Sequence, residues 1–162
     1  MTEAPTVFEL LEGVSIAVAM RDSLWLYPIV ETAHILGFIV LVGAVLMFDL
    51  RVLGASKRIP VRLLAGHLLT GSAASLAVVI PAGLLMFLAD AGSIAGNPAF
   101  ILKMALLLCA GANAAAFHLG PYRSVASWDM GTPAPAAAKL HAALSMLLWV
   151  SIATCGRAIA YV

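Results

Sequence analysis

Histidine occurs four times in the 162 residues, and His34, His67, His118 and His141 each fall in a different long apolar stretch. An imidazole is costly to bury in lipid without a partner, and in its neutral form it is a common ligand for iron, copper and zinc. Spacing decides which of them could act together. A helix rises about 1.5 Å per residue, so His67 and His141, each about five residues inside the start of its stretch, lie level at roughly 7 to 8 Å from one membrane face. His118 falls a few ångströms shallower at that same face, whereas His34 lies toward the opposite one. There its level partner is Lys103, about five residues after Pro98.

The elements that must carry these residues follow from composition. The chain is 63% hydrophobic and 10% charged, with a mean hydropathy of +1.05. A soluble domain is about 45 to 50% apolar and about 25% charged, so this chain is expected in a lipid bilayer. That excludes cytosolic enzymes, secreted disulfide scaffolds and disordered tails. A net charge of +1 also leaves no basic face for nucleic acid. Uncharged intervals locate four spans, between Glu31 and Asp49, Arg62 and Asp90, Lys103 and Arg123, and Lys139 and Arg157. Gly54 and Gly120-Pro121 are stop signals for the first and third, Asn97-Pro98 caps the third, and Pro135 opens the fourth. Pro28 and Pro81 are expected to kink the first and second spans.

Ahead of the spans, Thr6 and Glu9 have capping-box spacing, and Phe8, Leu11, Val14, Ile16 and Val18 alternate with Glu9, Glu12 and Ser15. Residues 1–22 therefore predict a periplasmic interfacial helix, and 23–162 a four-transmembrane-helix bundle. The fold class is all-α. Basic residues Arg51, Lys57, Arg58, Arg62, Arg123 and Lys139 gather at one end, while Glu3, Glu9, Glu12, Asp22, Glu31 and Asp90 gather at the other. The positive-inside rule then places both termini in the periplasm of a bacterial inner membrane. Trp25, Tyr27 and Tyr161 are expected at that interface, with Tyr122 and Trp128 at the cytoplasmic one.

In an up-down bundle of four spans, the first and third helices are diagonal, as are the second and fourth, at about 1.4 times the 8 to 10 Å of direct packing. A flat macrocycle with an axial ligand on each face needs about that separation. His67 with His141, and His34 with Lys103, are the plausible couples. Small residues, Gly71 and Ala74 beyond His67 and Ala114 and Gly111 before His118, form either slots or close-packing stripes. Glu31, three residues before His34, either orients that imidazole or is solvated at the interface. Asp49 and Arg51 form the simplest charge pair at the cytoplasmic boundary, and Asn113 is an interhelical hydrogen bonder. Lys103 alone, like Arg157, could snorkel to the headgroups. Cys109 and Cys155 lie in spans and behave as small apolar groups.

The runs Glu31-Thr32-Ala33-His34-Ile35-Leu36-Gly37 and Phe48-Asp49-Leu50-Arg51-Val52-Leu53-Gly54 resemble an uncharacterised family of four-helix bacterial inner-membrane proteins. Asn97-Pro98-Ala99-Phe100 with Lys103, Asn113 with Phe117-His118, and Ser145 with Trp149 and Gly156-Arg157 extend that resemblance over nearly the whole chain. His34 with its Gly-containing apolar run and Arg51, and Lys103 in Phe-Ile-Leu-Lys-Met-Ala-Leu, are also similar to the haem-binding membrane protoporphyrinogen oxidase family. There the resemblance implies haem contacts from the first-helix His and third-helix Lys. Copper-resistance membrane proteins share the His-then-Gly first helix and a later Lys. The Ala-rich sequence beyond the third span departs from the oxidase pattern, and His67 and His141 have no counterpart in it.

The expected function is a b-type haem protein of electron transfer, holding one or two haems and associated with a protein partner or a second copy. His67 and His141 are the expected axial ligands on the cytoplasmic side, with His118 as another ligand or a propionate contact. His34 and Lys103 are those on the periplasmic side. Two alternatives are a copper or other transition-metal protein using His67, His118 and His141, and a cofactor-free subunit of a membrane complex.

Overall fold

Long uninterrupted apolar runs saturate their backbone hydrogen bonds internally, which in lipid only a helix or closed barrel achieves. The computed structural model, which describes residues 6–162, accordingly has no strand among them. Its helices are α1 Val7–Glu12, α2 Ser15–Asp22, α3 Leu26–Leu53, α4 Val61–Ala89, α5 Ala91–Gly96, α6 Pro98–Leu119 and α7 Ala136–Ala158, with a 3-10 segment at Pro121–Ser127. Four of them, α3, α4, α6 and α7, are long and apolar enough to cross a membrane. The protein is an all-α membrane bundle.

Asn97 caps α6 by accepting from the Ala99 and Phe100 amides, ahead of Pro98 at the first helical position. Gly54 ends α3 in the left-handed region at φ +118°. Pro28 lies in the first turn of α3, where its missing N–H costs no bond, and α4 continues through Pro81 as one helix.

Ahead of the bundle the chain forms two short helices instead of the single interfacial helix expected. Gly13 caps α1 and Val14 is extended, so the axis breaks before α2. The Thr6–Glu9 capping box forms, with the Glu9 amide donating to Thr6 Oγ1 and the Thr6 amide to Glu9 Oε2. Residues 1–5, including Glu3, lie outside the described residues. α2 does more than float on a surface. It buries Ala17 and Met20, and Arg21 donates to the carbonyls of Ala89 and Glu12, while Glu12 Oε1 accepts from the Gly92 amide. The pair is thus strapped across the end of α4 and α5.

α3 packs along α4 and also along α7, and α7 packs along α6. α3 and α6 are therefore diagonal, as are α4 and α7. The fourth side of the square is open, because the backbones of α4 and α6 do not come into contact. Side chains bridge them near both ends. Phe87 stacks on Phe100 at 5.5 Å near the termini, and at the opposite end Phe117 joins a core with Val61, Ala65, Phe48, Val52 and Trp128.

Small residues set how closely α3 and α4 approach, as expected where lipid supplies no hydrophobic drive between helices. A Cβ on Gly37 would lie 2.8 Å from Val79 Cγ2 and 3.6 Å from the Ser75 carbonyl oxygen. Because valine is stiff at χ1, it cannot swing aside freely. Gly37→Ala should therefore cost about 1 to 2 kcal/mol by overpacking. Gly43→Ala, on the same helix with nothing within 4 Å, serves as the control and should be neutral or slightly stabilising. Thermal unfolding of both variants in detergent makes the comparison; equal melting temperatures would contradict it.

At the end opposite the termini, the chain after α6 folds back onto the start of α4. Asp129 accepts there from the Val61 amide through its carbonyl and from the Arg62 amide through Oδ1. Trp128, expected at a membrane interface, is 2% exposed and belongs to the core. Its indole donates to Ser124 Oγ, which satisfies the N–H without water. The expected Asp49–Arg51 charge pair is also absent. Residues two apart point to different sides of a helix. Arg51, 4% exposed, donates instead to the carbonyls of Ile59, Lys57 and Asp129, and Asp49 turns into the bundle.

Candidate functional site

Positions seven apart on a helix lie nearly one above another, two turns on. On α3 this stripe is His34, Leu41 and Phe48, and on α6 it is Lys103, Ala110 and Phe117. Leu41, Phe48, Ala110 and Phe117 are all buried, and Phe48 meets Phe117 edge-on at 5.8 Å. The two helices run in the same direction, so with Phe48 against Phe117 the same register puts Leu41 level with Ala110 and His34 level with Lys103. The two chemically distinctive side chains therefore lie at one depth on diagonal helices, near the end that bears the termini.

Each is seated over a glycine. His34 Nδ1 lies 2.9 Å from the Val79 carbonyl oxygen, and since a carbonyl only accepts, Nδ1 carries the proton and donates. The ring can reach that oxygen because Gly83 has no side chain; its Cβ would lie 3.0 Å from His34 Cε1. Nε2 is left with its lone pair, the form in which histidine ligates a metal, with the other nitrogen fixed by a carbonyl. Across the bundle, Lys103 Nζ lies 3.5 Å from where a Cβ on Gly156 would be. Both residues are partly buried. Glu31, expected to orient His34, is exposed on α3, and the Val79 carbonyl makes that contact instead.

The other imidazoles are arranged differently. His141 of α7 donates from Nδ1 to Asn113 Oδ1 at 2.7 Å, and Asn113 Nδ2 returns a bond to the His141 carbonyl at 3.0 Å. This is the interhelical role expected of Asn113, and it too leaves Nε2 free. His67 is exposed, with Nδ1 at 3.0 Å from the Leu63 carbonyl of its own helix. It lies five residues from Ser72, about 140° around α4. Ser72 is buried, so His67 points away from the packed face, as does Ala74 beyond it. α4 and α7 do not pack together, and the structure does not set His67 against His141. His118 is exposed at the end of α6, edge-on to Tyr122 at 5.0 Å. Among the described residues, no three His, Cys, Asp or Glu side chains come together to hold a metal ion. The trio His67, His118 and His141 is therefore not assembled, because its members project from three helices in different directions. Cys109 and Cys155 are both free thiols.

Gly83, Gly156 and the Val79 carbonyl escape the sequence reading. The sign that could have revealed them is the seven-residue stripe shared by α3 and α6, which fixes where His34 and Lys103 point and so what their neighbours must leave open.

Residues 24–162 match a family of unknown function, DUF6644. No curated protein and no solved structure matches the chain.

Proposed function

We propose that this chain, which belongs to the family of unknown function DUF6644, is a membrane-embedded b-type haem protein of electron transfer. The single observation that supports it most is His34, tied through Nδ1 to the Val79 carbonyl so that Nε2 keeps its lone pair, at the depth of Lys103 on the diagonal helix. Diagonal helices of such a bundle stand about 11 to 14 Å apart, and His34 and Lys103 would hold a haem between them. The open side between α4 and α6 gives its edge a way in. When bound, the haem iron supplies one-electron exchange, and axial-ligand identity and burial set its potential. His34 and Lys103 bind and orient it, Val79 fixes the imidazole, and Phe87 with Phe100 shields the site near the termini. His141, held by Asn113, is available for a second haem near the opposite face.

The positive-inside rule supports a bacterial inner membrane with both termini in the periplasm, because Lys57, Arg58, Arg62, Arg123 and Lys139 lie at the other end. Electrons would pass to a partner protein or a second copy in that membrane.

Absorbance of freshly purified protein is the test. A Soret band with sharp reduced α bands is expected. A colourless preparation overturns the proposal, pointing to a metal protein if copper is stoichiometric and to a scaffold subunit if no metal is present. Lys103→Met should keep the Soret band but move the α band and raise the reduction potential, because a thioether replaces an amine. An unchanged spectrum and potential would remove Lys103 from the iron.

A further inference from the structure

Asp49 lies on α3 within the bundle, 5% exposed, and its Oδ2 is fully buried with no hydrogen-bond partner among the described residues. Every buried polar atom of this kind calls for an explanation, since nearly all such atoms in folded proteins are paired. Among the described residues, no cation pairs with it. Arg51, two residues on, spends its three hydrogen bonds on loop carbonyls. α4 faces this end of α3 with Val61 and Ala65, which pack with Phe48 and Val52. From α7 the polar group near the Asp49 carboxyl is Ser145, and one turn before it is His141, bonded to Asn113. The returning segment adds Trp128 and Asp129, whose Oδ1 is occupied by the Arg62 amide.

An ionised carboxylate there would be an unpaired charge in a low dielectric, which proteins avoid by neutralising the group. We propose that Asp49 is a proton-binding site inside the membrane, exchanging with the side that carries the 54–60 loop. The proton comes from solvent and converts the carboxylate to the acid, and no electron or further reactant is involved. The acid's O–H then gives Oδ2 a donor role that the Ser145 hydroxyl can accept. His141, four residues before Ser145 on the same face of α7, is the other ionisable side chain on that face, and its Nδ1 is committed to Asn113. The site does not depend on haem.

Infrared spectroscopy of the full chain in lipid vesicles tests this. At neutral pH the protein should show the C=O stretch of a protonated carboxylic acid, shifted in D2O, absent in Asp49→Asn and fading as pH rises. Ser145→Ala should move that band to higher frequency through loss of its partner, and this variant keeps the test intact should Asp49→Asn fail to fold. The band should be indifferent to sodium. A purely carboxylate spectrum at neutral pH, or an acid band that disappears when sodium chloride is added, overturns the proposal, the second result in favour of a bound monovalent cation. An acid band that neither variant alters would overturn it as well.

Discussion

Arg51→Met should lower folding stability by about 3 to 5 kcal/mol, the largest loss expected of any single substitution here. The guanidinium is 4% exposed and holds three carbonyls drawn from two separate segments, Lys57 and Ile59 before α4 and Asp129 after α6. Methionine keeps the apolar stem but leaves those oxygens without donors. Asp129 also receives the Val61 and Arg62 amides, so releasing it frees the first turn of α4 and loosens the strap over Trp128. Arg51→Lys should recover only part of the loss, because one ammonium cannot fork to oxygens on two loops. Denaturant or thermal unfolding in detergent measures the effect; a loss below about 1 kcal/mol would mean that water replaces the guanidinium at these carbonyls.

The second large effect concerns function. His34→Ala should remove the signal of the haem near the termini while leaving far-UV circular dichroism and membrane insertion unchanged, and added imidazole should restore part of the band. The same residue in a merely structural role would alter the melt and not the spectrum. Gly83→Ala probes the seat of the ring: a methyl 3.0 Å from Cε1 pushes the imidazole off the Val79 carbonyl. Loss of such an orienting contact weakens cofactor binding by about 10- to 100-fold. If both variants kept full haem content, His34 would have no part in the site. His67→Ala, on a face turned from the bundle, should leave this signal intact.

Much of the fold is legible because lipid makes the rules strict. Gly54, Asn97-Pro98 and Pro135 mark the helix ends within a residue or two, since backbone groups left unpaired in a bilayer have no water to turn to. Diagonal placement of α3 against α6 and of α4 against α7 also agrees with the topology expected from short connections. Depth along an axis is legible too, and it puts His34 level with Lys103.

Rotation about the axis is not. His67 and His141 are level by residue count, yet one points outward and the other into α6, because small residues on α4 turn its Ser72 and Ser75 face toward α3. The α4 wheel is too uniformly apolar to betray that face. Trp128 and the Asp49–Arg51 pair fail for a related reason: each was judged by its local sequence, while a segment some 80 positions away supplied its neighbours.

Composition and periodicity by themselves determined that this chain spans a bilayer four times, where the helices end and which polar residues lipid would not tolerate without cause. Those properties follow from the solvent, which acts on every residue independently of its neighbours. Tertiary structure alone decided that His34 rests on Gly83, that Arg51 serves the loops, and that Asp49 is enclosed with one oxygen unpaired among the described residues. Such contacts depend on how far each helix is turned, and that angle emerges only when small side chains on neighbouring helices let particular faces close together.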